Sequence, residues 1–491
     1  MVFSTLTFLY CFLPLTLVFY ALCPNIKAKN ICLLAASLSF YAWGEPVWVF
    51  LLVLISFSNF HLAKLIDNAN FENDKPLSKK YLFYAVGVNL AFLGVFKYLG
   101  FFVECLNLLL GVVRLQIPIP KIGLPIGISF FIFQALSYII DVYKGKIEVQ
   151  RHFSRFLMYI ALFPQLMAGP IVRYSEISEQ LLERKFKLKD LSSGATRFII
   201  GLGKKVIIGN FAGKLVSDLI GSQVDLQSAS ALCIWLGVIL FGIQIYFDFS
   251  GYSDMAIGLG KLFGFSFPEN FNYPYTAKSI TDFWRRWHMT LSSFFRDYVY
   301  IPLGGNRNNQ LRNLLITWAL TGFWHGASWN FIFWGLYYFV FLVFEKFVLQ
   351  SKFVKEKLLR DTLKIKSERI PVLGNVYTIF VVTVGWALFY FDDFGRLGTA
   401  FKIMFGAVKN PLSLIEQTLL SSNVLFIIIA VIACMPISRY IKKAMKNLSK
   451  RDYSSDRAMV IVHAVFNTVI LVWCTASIVG SSFNPFLYFR F

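Results

Sequence analysis

Residues 321–330 read TGFWHGASWN and place a histidine, His325, inside an apolar run that extends from 311 to 348. A run of that length is too long for one membrane crossing, so it predicts two helices or one broken helix. An ionised side chain at the centre of a membrane helix costs roughly 2.5–3.5 kcal/mol on insertion scales, which makes His325 a functional candidate. With His288, it predicts acid–base chemistry inside a bilayer. A structural histidine hydrogen-bonded to a neighbouring carbonyl is the alternative.

The composition is typical of a polytopic membrane protein. Of the 491 residues, 57% are hydrophobic and 15% are charged, whereas globular domains carry about 25% charged residues. The chain therefore predicts an all-α integral membrane protein, one helical bundle of about ten to twelve transmembrane helices. The apolar runs lie at about 2–23, 31–43, 46–65, 81–113, 122–143, 153–172, 195–216, 229–252, 311–348, 373–392, 423–438 and 459–481.

The formal net charge of +21 does not indicate a nucleic-acid partner, because the basic residues gather in loops between apolar runs. Such loops are cytoplasmic in membrane proteins. This rule places Lys75, Lys79 and Lys80 on the cytoplasmic side and predicts that both chain ends lie outside, which requires an even number of crossings. The main basic loops lie at 144–155, 184–189, 352–369 and 440–457.

The segment from about 253 to 310 does not fit a plain membrane helix. It is rich in aromatic residues, glycine, proline and charge, and Pro268, Pro274 and Pro302 exclude one continuous helix. Irregular backbone at membrane depth is tolerated where protein or a water-filled cavity satisfies it. We therefore predict a re-entrant or interfacial element that lines a cavity.

Residues 282–300 are predicted to be helical, which would place Arg285, His288 and Ser292 on one face. On the same helix Asp282 could pair with Arg286 at a spacing of four residues. An interfacial helix anchored by arginine and tryptophan is the alternative interpretation of this segment.

Imidazole is suited to take a proton from a hydroxyl near neutral pH and to return it to a leaving thiolate. The chain contains no Gly-x-Ser-x-Gly, His-Glu-x-x-His or phosphate-loop motif. The two histidines with Asp248 or Asp254 lack the spacing of a metal site, so we expect no metal. Gly322 and Gly326 predict that another helix approaches His325 closely.

Four further segments, with the one around His325, resemble the membrane-bound O-acyltransferase (MBOAT) family. The chain is most similar to the bacterial branch, which includes the membrane subunits of alginate and peptidoglycan O-acetylation and of teichoic-acid D-alanylation. The resemblance covers nearly the whole chain. The four segments are FPQLMAGPI at 163–171, YFDFSGYSD at 246–254, DFWRRWHMTLS at 282–292 and RDYVYIPLGG at 296–305.

The resemblance implies an MBOAT-type bundle with re-entrant segments and a central tunnel, in which two funnels meet near the catalytic histidine. It implies that His325 is catalytic, that His288 is the second histidine, and that acetyl-CoA is a cytoplasmic donor substrate, with no bound cofactor. Three arginines are candidate contacts for the donor phosphates, with structural ion pairs as the alternative. They are Arg285, Arg286 and Arg296.

The last six residues, FLYFRF at 486–491, resemble the C-terminal tyrosine motif of the small partner of D-alanyl transfer systems. The resemblance implies that Tyr488 relays the acyl group, and the charge distribution puts this motif outside. An aromatic anchor at the membrane interface is the alternative.

We therefore expect a single membrane domain over 1–491, with a catalytic core at about 250–345 and an extracytoplasmic tyrosine motif at 483–491. The expected protein is a bacterial inner-membrane O-acetyltransferase that serves an extracytoplasmic polysaccharide, peptidoglycan or an alginate-like exopolymer, through an SGNH-type partner. The expected contacts are membrane lipid, acetyl-CoA, this partner and the polysaccharide. D-alanyl transfer to teichoic acid and a proton-coupled transporter are the alternatives.

Overall fold

The structure, a computed structural model, describes residues 1–184, 187–349, 370–437 and 453–480. Within these ranges the chain is a bundle of α-helices without a strand, which confirms the predicted all-α class.

The first third of the chain forms six helices. They are α1 (Leu13–Leu22), α2 (Ile26–Gly44), α3 (Trp48–Phe71), α4 (Lys75–Leu93), α5 (Leu99–Leu110) and α6 (Ile128–Tyr143). A π-helical turn, Gly94–Tyr98, joins α4 to α5, so that the two form one long span from Lys75 to Val113. The apolar run at 81–113 is therefore an interrupted helix.

The middle of the chain forms another six helices. They are α7 (Phe153–Ala161), α8 (Phe163–Leu166), α9 (Tyr174–Leu182), α10 (Leu188–Gly203), α11 (Asn210–Ile220) and α12 (Ala231–Leu262). A second π-helical turn, Lys204–Gly209, joins α10 to α11.

The remaining described residues form eight helices. They are α13 (Ile280–Trp284), α14 (Met289–Phe295), α15 (Gln310–His325), α16 (Trp329–Phe344), α17 (Ile370–Tyr390), α18 (Phe394–Met404), α19 (Leu414–Ala433) and α20 (Tyr453–Gly480).

Seven helical spans in the described ranges are long and apolar enough to cross a membrane. They are Trp48–Phe71, Lys75–Val113, Ala231–Leu262, Trp329–Leu349, Val372–Tyr390, Leu414–Ala433 and Val460–Gly480. Two shorter apolar helices, Phe8–Leu22 and Ile128–Tyr143, join them. The chain is a multi-pass membrane protein, and ten to twelve crossings stays a prediction because several helices of the bundle are short.

Helix α12 is the centre of the bundle and packs against α10, α11 and α17. It crosses α10 at two pairs of glycines, where a Cβ on Gly251 would lie 2.7 Å from the carbonyl oxygen of Gly201, and one on Gly258 2.7 Å from that of Gly194. Small residues let membrane helices approach this closely. The approach fixes α12 beside α10, and the two helices together line the larger of the two cavities described below.

Helices α15 and α16 form a tight hairpin with His325 near its turn. A Cβ on Gly322 would lie 3.1 Å from Cα of Gly335 on α16, which confirms the predicted close approach of a second helix. Gly326 has a different neighbour, the ring of Phe331. The run at 311–348 is thus two helices rather than one.

The prediction of one helix over 282–300 is wrong, because the chain breaks between α13 and α14 and His288 has φ +43°. The backbone amide of Met289 donates to the carbonyl of Asn270 at 2.9 Å, and the amide of Asn272 donates to the carbonyl of Arg286 at 2.9 Å. These bonds to a distant loop replace helical ones. Arg285 is consequently exposed whereas His288 is buried, and the two do not share a face.

Candidate active site

His325 is the last residue of α15, and its imidazole lies among aromatic rings. The residue is 6% exposed. Its ring centroid is 4.9 Å from that of Trp334 and 5.2 Å from that of Phe389, both in edge-on arrangements. Within the described residues Nδ1 of His325 has no hydrogen-bond partner. Because buried polar atoms are nearly always paired, this nitrogen is a position where a substrate group can bind.

His288 is the second buried histidine, and Asn270 fixes its orientation. Its Nδ1 lies 3.0 Å from Oδ1 of Asn270, which also accepts a bond from the hydroxyl of Thr290 at 2.9 Å. Since an amide oxygen only accepts, the neutral ring donates through Nδ1 and keeps Nε2 as its acceptor nitrogen. The ring also meets Phe249 edge-on, with centroids 4.6 Å apart.

The ring of Trp324 contacts both histidines. Its ring centroid is 4.8 Å from that of His325 and 5.9 Å from that of His288. The structure therefore brings the two histidines predicted from the sequence into contact with one indole.

A small cavity of about 70 Å³ adjoins His325 and Trp324. Residues 124–130, Met167 and Lys97 form the rest of its wall. The volume admits a few water molecules or a group the size of acetyl. The catalytic candidate thus has access to a space that a reacting group can occupy.

A large cavity of about 1400 Å³ reaches Asn270, which binds His288, and Met289, which follows it in the chain. Basic and acidic side chains line it together. They are Lys189, Arg197, Lys204, Lys261, Asp254 and Glu269. The two cavities are therefore lined by different segments. The loop before α6 lines the small cavity, and α10 and α12 line the large one.

An ion network lies in the wall of the large cavity. Arg197 binds Asp254 at 2.7 Å and Glu269 at 2.5 Å, and Lys204 binds Asp254 at 2.6 Å. Asp254, considered above for a metal site, instead holds two basic side chains. Partial burial makes such pairs stronger than exposed ones because the solvent screens them less.

A second ion pair is buried behind this wall. Nζ of Lys205 lies 2.7 Å from Oδ1 of Asp248, and the two side chains are 1% and 4% exposed. Lys205 also donates to Oδ1 of Asn210 at 2.7 Å. Asp248, the other carboxylate considered for a metal, is therefore also compensated by a lysine.

Lys97 is the most informative residue that the sequence interpretation missed. Its Nζ donates to the carbonyl oxygen of Trp324 at 2.5 Å and lies 3.5 Å from Oγ of Ser129. The signal was available, because Lys97 and Lys205 are ionisable residues within apolar runs, the same criterion that selected His325.

The three candidate donor-binding arginines line neither of these two cavities. Arg286 pairs with Asp282 at 2.8 Å, as the four-residue spacing predicted. Arg296 pairs with Asp297 at 2.7 Å. Partial burial alone would raise the pKa of Asp297, but hydrogen bonds from Arg296 and Arg173 hold the pKa of that carboxyl below its usual value. A role of Arg285, Arg286 and Arg296 in binding the donor stays a prediction.

Tyr488 and the C-terminal motif at 483–491 lie outside the described residues. The acyl relay predicted for Tyr488 therefore stays a prediction.

The apolar helical bundle defines a polytopic membrane protein, and its buried histidine pair is the candidate reaction site. The family model of MBOAT, the membrane-bound O-acyltransferase family, matches residues 121–384, which is more than half of the chain. The chain therefore belongs to the membrane-bound O-acyltransferase family and is an acyltransferase. This confirms the resemblance seen in the sequence.

Proteins of three related activities are similar to this chain. It is 36% identical to the probable alginate O-acetylase AlgI of Azotobacter vinelandii over the whole of both chains. It is 33% identical to the peptidoglycan O-acetyltransferase of Helicobacter pylori, over 83% of this chain and 80% of the relative. It is 31% identical to the teichoic acid D-alanyltransferase of Bacillus subtilis, over 54% of this chain and 68% of the relative.

Proposed function

We propose that this enzyme transfers acetyl from cytoplasmic acetyl-CoA, across the bacterial inner membrane, for O-acetylation of an extracytoplasmic polysaccharide. The observation that carries the proposal is that His325 and His288 both contact the ring of Trp324, with His325 lining the small cavity and Asn270, the partner of His288, lining the large one. The names of two relatives matched over at least 80% of their length specify alginate and peptidoglycan, so an alginate-like exopolymer and peptidoglycan are the acceptors that we propose.

The charge distribution supports the assignment of the two cavities to opposite sides. The large cavity includes Lys189 and Ile437, which adjoin the basic segments 184–189 and 440–457. The small cavity is lined by the loop that follows the span Lys75–Val113. The start of this span carries the basic residues that mark the cytoplasmic side, so the loop at its end lies on the outer side. We therefore assign the donor to the large cavity and the acceptor to the small one.

His325 acts as the general base. Its imidazole takes the proton of an acceptor hydroxyl, whose oxygen attacks the thioester carbonyl of acetyl-CoA. The carbon–sulfur bond breaks, the CoA thiolate leaves, and the imidazolium returns the proton to that sulfur. Atoms and charge balance in this scheme. His288, which contacts the same indole, positions His325 or relays protons.

The acceptor hydroxyl in this scheme belongs to Tyr488 or to the polysaccharide itself. We propose that Tyr488 carries the acetyl group as an ester and that an SGNH-type partner outside the membrane completes the transfer. Replacing Tyr488 with Phe is expected to stop acetylation of the polymer in cells, and wild-type acetylation would remove the relay from the scheme.

Turnover of labelled acetyl-CoA by the purified chain in proteoliposomes tests the proposal. We expect His325→Ala to lower thioester cleavage by about 10²–10⁴-fold, the usual contribution of a general base. His61→Ala is the matched control, because His61 is an exposed histidine on α3. Equal turnover by His325→Ala and the unchanged protein would contradict the proposal.

D-alanyl transfer is the second candidate, supported by the similarity to the teichoic acid D-alanyltransferase over about half of the chain. A D-alanyl thioester offered in parallel with acetyl-CoA separates the two activities. Membership in an acyltransferase family favours both over a transporter.

A further inference from the structure

The helix that presents His325 ends without continuing into the next one. Gly326 has an extended backbone with φ −172° and ψ 155°, so the chain leaves α15 directly after the histidine. The last four carbonyl groups of a helix lack intrahelical donors and need other partners. In α15 these carbonyls include those of Phe323 and Trp324, the two residues before His325.

Two consecutive residues of another helix supply those partners. The hydroxyl of Tyr98 donates to the carbonyl of Phe323 at 3.0 Å, and its ring stacks on that of Phe323 with centroids 4.0 Å apart and 13° between the planes. Nζ of Lys97 donates to the carbonyl of Trp324 at 2.5 Å. The carbonyls of Phe323 and Trp324 are thus both bound by one segment of another helix.

That segment is the π-helical turn Gly94–Tyr98, which interrupts the long span from Lys75 to Val113. Such turns hold one additional residue and occur frequently at functional sites. Tyr98 has φ −116°, far from the α-helical value of about −63°. The distortion brings two adjacent side chains to one helix end.

Lys97 is an expensive residue at this position. An amine within an apolar span is costly unless it is paired or functional. Its charge lies beside the C-terminus of α15, where the helix dipole favours a cation. Among the described residues it hydrogen-bonds the carbonyl of Trp324 and lies 3.5 Å from the hydroxyl of Ser129, and it shares the cavity wall with His325. A methionine would fill the same volume without this cost, so packing alone does not explain a lysine here.

We infer that Lys97 and Tyr98 are positioning residues for acyl transfer, which hold the last turn of α15 so that the imidazole of His325 faces the small cavity. The inference rests on the proposed function of His325. Neither residue reacts; both act through the backbone that carries the base. A displacement of a catalytic group by about 1 Å can lower the rate by about 100-fold, so a loosened helix end is sufficient to impair transfer.

Kinetics of matched variants test the inference in proteoliposomes. We expect Lys97→Met to lower kcat for acetyl-CoA cleavage by about 100-fold with KM unchanged. Lys97→Arg keeps a cationic donor and should retain most of the activity, whereas Tyr98→Phe keeps the ring stack and should lose about tenfold, the equivalent of one hydrogen bond. Lys80→Met, an exposed lysine on the same helix, is the control.

The double variant Lys97→Met/Tyr98→Phe should lose less than the product of the two single losses, because one substitution already releases the shared turn. A wild-type kcat for Lys97→Met would overturn the inference. So would a change in KM alone, which would make Lys97 a substrate contact, or a loss that follows the unfolded fraction in a thermal melt.

A readout that needs no turnover separates this inference from the proposed function. Diethyl pyrocarbonate modifies accessible imidazoles, and mass spectrometry reports the rate at each histidine. We expect Lys97→Met to speed modification of His325 by about tenfold, because loss of a hydrogen bond eases local opening, with exposed His61 unchanged. An unchanged rate at His325 overturns the positioning role even if the chain cleaves no acetyl-CoA. Faster modification of His325 in Lys97→Met supports the positioning role even if the chain cleaves no acetyl-CoA.

Discussion

The two cavities next to the histidine pair differ in size and in charge. The small one measures about 70 Å³ and is lined by one cation, Lys97, with residues 124–130 and aromatic or apolar neighbours. The large one measures about 1400 Å³ and is lined by four cations and two carboxylates. A nucleotide-bearing thioester fits only the large one, whereas the small one suits a hydroxyl and an acetyl group. This difference in size and charge is the basis for assigning the donor to the large cavity and the acceptor to the small one.

The cations of the two cavities are also held differently. Arg197 and Lys204 are compensated by carboxylates. Lys97 instead binds a carbonyl at a helix end. A cation paired with a carboxylate cancels the charge of that carboxylate in the cavity wall. A cation bound to a backbone carbonyl instead holds the segment that carries the carbonyl in position. Three experiments, from the largest expected effect to the smallest, test the residues on the large-cavity side of this comparison.

The largest effect is expected behind the wall of the large cavity. Lys205→Met leaves Asp248 buried without its lysine, which should lower the free energy of unfolding by about 3–5 kcal/mol. Adding Asp248→Asn should recover most of the loss, since an uncompensated charge causes it. Chemical denaturation in detergent micelles measures both, with the exposed Lys214→Met as the control. Wild-type stability of Lys205→Met would show that the pair does not stabilise the wall.

The next effect concerns Asn270, which lines the large cavity and binds His288. Asn270→Ala removes the acceptor that orients His288 and Thr290, and should lower kcat/KM for acetyl-CoA by about 10–100-fold, as expected for loss of one or two hydrogen bonds. Asn68→Ala, at an exposed position on α3, is the control. If Asn270→Ala turns over acetyl-CoA at the wild-type rate, His288 has no part in transfer.

The smallest effect is expected at the cationic lining of the large cavity. Lys261→Gln should raise KM for acetyl-CoA about fivefold with kcat unchanged, because one partly screened charge pair contributes about 1 kcal/mol. Acetyl-dephospho-CoA should show a smaller change, since it carries less negative charge. Exposed Lys402→Gln serves as the control. An identical KM for Lys261→Gln would remove this residue from donor binding.

The sequence interpretation succeeded where the signal is local. Apolar runs near the bilayer thickness predicted the helices, and the four-residue spacing predicted the pair Asp282–Arg286. The catalytic role of His325 stays a prediction. It failed at the helix over 282–300. The helical spacing assumed local hydrogen bonds, whereas the loop that contains Asn270 and Asn272 supplies the bonds instead.

By itself, the sequence determined that this chain is a multi-pass membrane protein of the acyltransferase family with a histidine inside an apolar run. Those properties depend on residue type, run length and ordered motifs. Only the tertiary structure decided that Trp324 contacts both histidines, and that Lys97 binds the carbonyl of Trp324, 227 positions away in the chain. Contacts over such separations arise when helices pack, because neither the direction of a side chain nor the partner of a helix end is encoded by local spacing.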